Sequence, residues 1–123
     1  MLRTVYESLA LKYRMVAELV SGVCGRPNRT VHVVGGGSRN DFLNQITADA
    51  TGLPVTAGPE EATAVGNAMV QALGLGVISG LSEAQSMILA AFPIRGFKPR
   101  DHALWERAYQ TFMSVLKLRG KKV

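Results

Sequence analysis

Three features of the sequence predict an α/β fold. The β-branched run Val31–Val34 enters three successive glycines, Gly35, Gly36 and Gly37, and then a segment with apolar residues at helical spacing. A second short run, "LPVTAG", follows that helix and matches the first strand in length. Strands joined by a helical crossover run parallel. The order predicted is helix, strand, helix, strand, helix, helix, helix. Because two short strands make a poor sheet, the chain reads as a slice of a larger one whose other strands are supplied elsewhere.

Each element has its own signal. Leu2, Val5, Tyr6, Leu9, Tyr13, Val16, Ala17 and Val20 recur three and four apart, predicting an amphipathic helix that buries this face. Gly22, Gly25 and Pro27 are expected to end it. After the first strand, Ser38 is the N-cap candidate, Phe42, Leu43, Ile46 and Ala50 form the apolar face, and Gly52 is the stop. Pro59, Glu60 and Glu61 sit where the third helix should begin, with carboxylates favoured at the positive end of the dipole. Its residues Ala62, Ala64, Gly66 and Ala68 would let a neighbouring backbone come close, and Gly74, Gly76 and Gly80 break it up. Ser82-Glu83-Ala84-Gln85 resembles a capping box opening a helix that stops before Pro93. "FPIRGFKPRD" reads as a loop. Trp105, Ala108, Tyr109, Phe112, Met113 and Leu116 form the stripe of a last helix closed by Gly120.

The bulk composition limits the function classes. A chain of 123 residues, 47% apolar and 19% charged, suits one modest globular domain. It has no apolar run of membrane-spanning length, and "MLRTVYESLALKYR", beginning at an initiator-like Met1, has no signal pattern, so a cytoplasmic chain without a membrane partner is expected. Cys24 is the single cysteine, which excludes an intrachain disulfide and a multi-thiolate zinc site. The net charge of +5 gathers partly at Lys117, Arg119, Lys121 and Lys122. Without interleaved aromatics or a nucleic-acid module, these read as a solvated helix end and not as a nucleic-acid surface.

The glycines allow either of two readings. They open backbone angles closed to other residues and clear side chains away, so that unpaired N–H groups at the start of the next helix can meet an anion such as a phosphate. Equally, they can simply make a tight turn that packs the helix against the strand. The dinucleotide pattern G-x-G-x-x-G fails at its third glycine, which is Asn40, and a P-loop lysine is absent.

The wider string is more particular: "GGGSRNDFLNQ", then "ADATG", then "V-x-AGP-x-EATA-x-GNA" over Val55 to Ala68, and "FKP" before the last helix. It resembles the C-terminal nucleotide-binding lobe of the FGGY carbohydrate kinases, from about Ser8 onward. The resemblance implies a fragment of the actin-like ATPase (ribonuclease H-like) fold and one partial domain over residues 1–123. It also implies ATP and Mg2+ as cofactors of the complete kinase and a ketose as the phosphoryl acceptor. By the same resemblance Gly36 and Gly37 match nucleotide-contacting glycines and Asn40 a nucleoside-contacting asparagine, while Gly35 and Ser38 are neighbours with weaker claims.

Other residues of the motif are assigned structural parts. Asn44 and Gln45 are expected to bond within the helix and across to the loop, Glu60 and Glu61 to favour the helix dipole, and Arg39 to be an exposed arginine at a helix start. Asp41 and Asp49 match no base motif. The resemblance places the catalytic base and the sugar pocket upstream of this chain, so no catalytic or metal-binding residue is assigned here and the chain alone is expected to be inactive. Its rivals are a free-standing nucleotide-binding or subunit-interaction module and a Rossmann-type dinucleotide binder. Apolar faces left by absent strands would favour a homodimer.

Overall fold

The computed structural model describes the backbone of residues 2–120 and the side chains of residues 2–117. The predicted roles of Met1, Lys121, Lys122 and the Arg119 side chain lie outside the described residues. The elements are α1 (Leu2–Cys24), β1 (Val31–Val33), a 3-10 turn (Gly35–Arg39), α2 (Asp41–Thr51), β2 (Val55–Ala57), α3 (Ala62–Gly74), α4 (Leu81–Ala91), β3 (Arg95–Phe97) and α5 (His102–Gly120).

β1 and β2 pair in parallel as predicted, Val31 opposite Val55 and Val33 opposite Ala57. The sheet has a third strand where a loop was expected. β3 lies antiparallel to β2, giving the order β1-β2-β3 with Ala57 opposite Arg95. Arg-Gly-Phe between Pro93 and Pro99 has little β-propensity, so pairing with β2 imposes this strand.

The core lies between three helices on one side of the sheet. Ala10 and Leu11 of α1, Ile46 and Ala50 of α2, and Trp105 and Tyr109 of α5 are buried together, with Tyr6, Met15, Leu43, Phe112 and Met113 packed around them. Arg14 ties the same three helices. Its guanidinium lies 4.0 Å from the Tyr109 ring centroid, pairs with Glu18 (2.9 Å) and Glu106 (2.6 Å), and donates to the Ala50 carbonyl (3.3 Å). Burial opposes its charge, but the bonds to Glu18 and Glu106 outweigh that and raise its pKa.

α1 corrects the predicted buried face. Ala10 and Leu11 are its buried residues, whereas Leu2, Val5, Leu9, Tyr13, Val16 and Val20 of the predicted stripe are exposed. The helix is apolar around much of its circumference, and the core takes the face centred on the small Ala10. It also runs through Gly22 to Cys24 and ends at Gly25. α3 buries none of its residues and α4 only Ala84, so the small residues of α3 meet no packed neighbour here. α3 starts at Ala62, after a cis Gly58–Pro59 peptide, with Glu61 as its cap residue rather than with Pro59 in its first turn.

The predicted capping box of α4 is shifted. Glu83 accepts the Ser79 N–H and the Ser79 hydroxyl, both at 2.7 Å, and Ser82 lies inside the helix. These bonds hold the Glu83 carboxyl below its ordinary pKa.

Candidate functional site

β1 delivers the chain into the 3-10 turn, and the turn delivers it into α2. Asn40, not Ser38, caps α2: its Oδ1 accepts the Leu43 N–H at 3.0 Å, and the helix closes at Gly52 in the left-handed region. The cap uses the carbonyl oxygen of the Asn40 side chain and leaves its Nδ2 donors out of that bond.

Ser38 is fully buried, and its hydroxyl donates inward to the Gly35 carbonyl (2.7 Å). The Ser38 carbonyl receives two side-chain donors, Asn44 Nδ2 at 2.9 Å and Arg95 Nη2 at 2.5 Å. Asn44, with 1% of its surface exposed, bonds back to the turn as expected. Gln45 likewise donates to Asp49 within the helix and to the Lys98 carbonyl across it, each at 2.9 Å.

The three glycines have different surroundings. Gly35 has φ +75°, where an L side chain is strained, and its N–H donates to the Pro59 carbonyl (3.0 Å). Gly36 is exposed, and a Cβ built on it meets nothing within 4 Å. Its N–H lies in the first turn of a 3-10 helix, where the carbonyl three residues back is Val33 O. That oxygen accepts the Gly58 N–H (2.8 Å). Gly37 is exposed, and a Cβ there would touch Val33 at an ordinary 3.8 Å. Gly36 thus leaves an open approach to the backbone, with Gly37 beside it and α2 following the turn.

Charges around the turn are paired. Asp41 forms an ion pair with Arg95, and Arg39 pairs with Glu60 at 2.5 Å. The expected dipole role of Glu60 therefore gives way to a bridge from the third helix's approach back to the turn. Asp49 is buried, and its Oδ1 accepts from Gln45 (2.9 Å) and from the Arg100 N–H (2.8 Å). Both aspartates are engaged in bonds that hold structure. The described residues gather no group of three or more His, Cys, Asp or Glu side chains able to hold a metal ion. Arg95 escaped the sequence reading because it lies 57 residues from Ser38, and no local pattern connects two such positions.

Comparison with known proteins agrees with this architecture. The family model described as the FGGY family of carbohydrate kinases, C-terminal domain, matches residues 1–75. Rhamnulokinase of Bacteroides thetaiotaomicron is 46% identical over 115 residues, covering 94% of this chain and 24% of that protein. Rhamnulokinase of Mannheimia succiniciproducens is 43% identical over 100 residues, 81% of this chain and 21% of that protein. The crystal structure of xylulose kinase from Rhodospirillum rubrum superposes with a TM-score of 0.71 at 25% identity, over 94% of this chain and 24% of its own. The chain thus spans about a quarter of the length of these relatives, and its α/β fold is a fragment of the actin-like ATPase fold of such a kinase. On the family match, the shared fold and the glycine turn between β1 and α2, the chain belongs to the FGGY family of carbohydrate kinases, whose C-terminal domain it represents, and it is rhamnulokinase-like within that family.

Proposed function

We propose that residues 1–123 form one partial domain, the C-terminal part of the nucleotide-binding lobe of a kinase that phosphorylates a ketose such as L-rhamnulose with ATP and magnesium. The observation that carries this reading is the open backbone at Gly36, set between the end of β1 and the start of α2. Gly36 and Gly37 let the nucleotide approach the main chain, the Gly36 N–H supplies a donor, and Asn40 Nδ2 supplies a second toward the nucleoside. Gly35 and Ser38 shape the turn from within. Main-chain and amide donors beside an open glycine suit the phosphates and nucleoside of ATP. Magnesium is assigned to the phosphates and to the rest of the kinase, since Asp41 and Asp49 are already engaged.

Phosphoryl transfer depends on holding the sugar hydroxyl, the phosphates and a base in line. This chain contributes one wall of that arrangement, and the sugar pocket and base belong to the remaining part of the kinase, so the isolated chain is inactive. A test pairs calorimetry against Mg-ATP and NAD with a coupled assay for ADP release in the presence of L-rhamnulose. Saturable ATP binding without turnover is the expected result. Sugar-dependent turnover by the chain alone, or a preference for NAD over ATP, contradicts the reading.

A further inference from the structure

Arg95 reaches the glycine turn from the far edge of the sheet. β3 is bound to β2 alone, with Arg95 opposite Ala57. From there the guanidinium makes two bonds: one nitrogen donates to the Ser38 carbonyl at 2.5 Å, and the other pairs with the Asp41 carboxylate. Ser38 lies in the turn and Asp41 is the first residue of α2, so a single planar fork spans the junction between them.

Two consequences bear on an anionic ligand at Gly36. The Ser38 carbonyl is shared by Arg95 of β3 and the buried Asn44 of α2, and the hydroxyl of the same residue holds the Gly35 carbonyl. The carbonyls of Gly35 and Ser38 are thereby tied by side chains. The Asp41 carboxylate at the mouth of the turn would also repel a phosphate, and the Arg95 charge cancels it.

We propose that Arg95 is a positioning residue for nucleotide binding: it fixes the 3-10 turn and neutralises Asp41, so that the Gly36 and Gly37 backbone meets the phosphates in one conformation. This rests on the assignment of the turn to ATP. It needs no contact between Arg95 and the nucleotide.

Amide hydrogen exchange read by NMR tests it, on the chain and on its Arg95→Leu and Arg95→Lys variants, first without nucleotide and then across a Mg-ATP titration. Arg95→Leu should speed exchange at the hydrogen-bonded amides of Gly35 and Asn40 by about tenfold, leave that of Gly52 at the other end of α2 unchanged, and weaken ATP binding by about tenfold. Lysine can keep one of the two bonds, so Arg95→Lys should fall between. Unchanged exchange at Gly35 and Asn40 in Arg95→Leu, or an equal increase at Gly52, overturns the proposal. Should Arg95→Leu not fold, Asp41→Asn breaks only the ion pair: faster exchange at Asn40 supports the proposal and wild-type exchange opposes it. A wild-type chain that does not bind Mg-ATP overturns the assignment of the turn, and the exchange without nucleotide then decides separately whether Arg95 fixes it.

Discussion

At the scale of single residues, the glycine triplet divides labour in a way set by backbone angle and neighbours. Gly35→Ala should cost about 1 kcal/mol in urea denaturation, because φ +75° strains an L side chain. Gly36→Ala, with open space around its Cβ, should leave stability unchanged. The sequence identified the triplet, but which glycine is conformational and which is open depends on tertiary placement that spacing does not encode. Tyr109 offers a pH test of the core. Burial, then its bond to Glu18, pushes its phenol up to about 12. A pKa raised in the folded state adds stability that is complete below the ordinary tyrosine value near 10 and lost as pH rises toward 12. Phenolate absorbance should therefore record one late tyrosine coupled to alkaline unfolding, and Tyr109→Phe should abolish that late step.

At the scale of elements, those with strong local signals were the readable ones. The helices and the two β-branched strands follow from periodicity, and Gly52 stops α2 where expected. β3 was hidden because its strand character comes from β2, and the buried face of α1 was misread because both faces are apolar and the core selects the one bearing Ala10. The cap of α2 allows structure and binding to be separated. Asn40→Ala should destabilise the chain by about 1 kcal/mol through loss of the bond to Leu43 N–H. Asn40→Asp keeps the cap oxygen but loses the Nδ2 donor, so it should retain stability while weakening ATP binding. Calorimetry and urea titration on the same pair of variants check both.

At the scale of the whole molecule, the sheet is left open at β1. The Val31 N–H donates to Pro54 O (2.9 Å) and Val33 O accepts from Gly58 (2.8 Å), so these groups face β2, and those of His32 point away from it. Beside this edge runs a groove of about 720 Å³, lined by β1 together with Tyr13, Val16 and Val20 of the uncovered α1 face. This side of the molecule thus presents an unpaired strand edge next to an apolar helix face. The two short parallel strands were legible in the sequence, but the edge that β3 covers was not, because β3 is a strand only through its pairing with β2. An isolated chain with such a face should self-associate, and sedimentation should record a dimer that Val16→Lys shifts toward monomer. A well-folded wild-type monomer at high concentration would contradict this.

The central claim, that the glycine turn of this kinase domain is a nucleotide site, is tested most directly by following backbone amide shifts during a Mg-ATP titration of the chain and of Gly36→Val. The account predicts saturable shifts centred on Gly36, Gly37 and Asn40 that disappear in the variant while its fold persists. Shifts of equal size in Gly36→Val, or saturable binding that leaves these three amides unmoved, would contradict it.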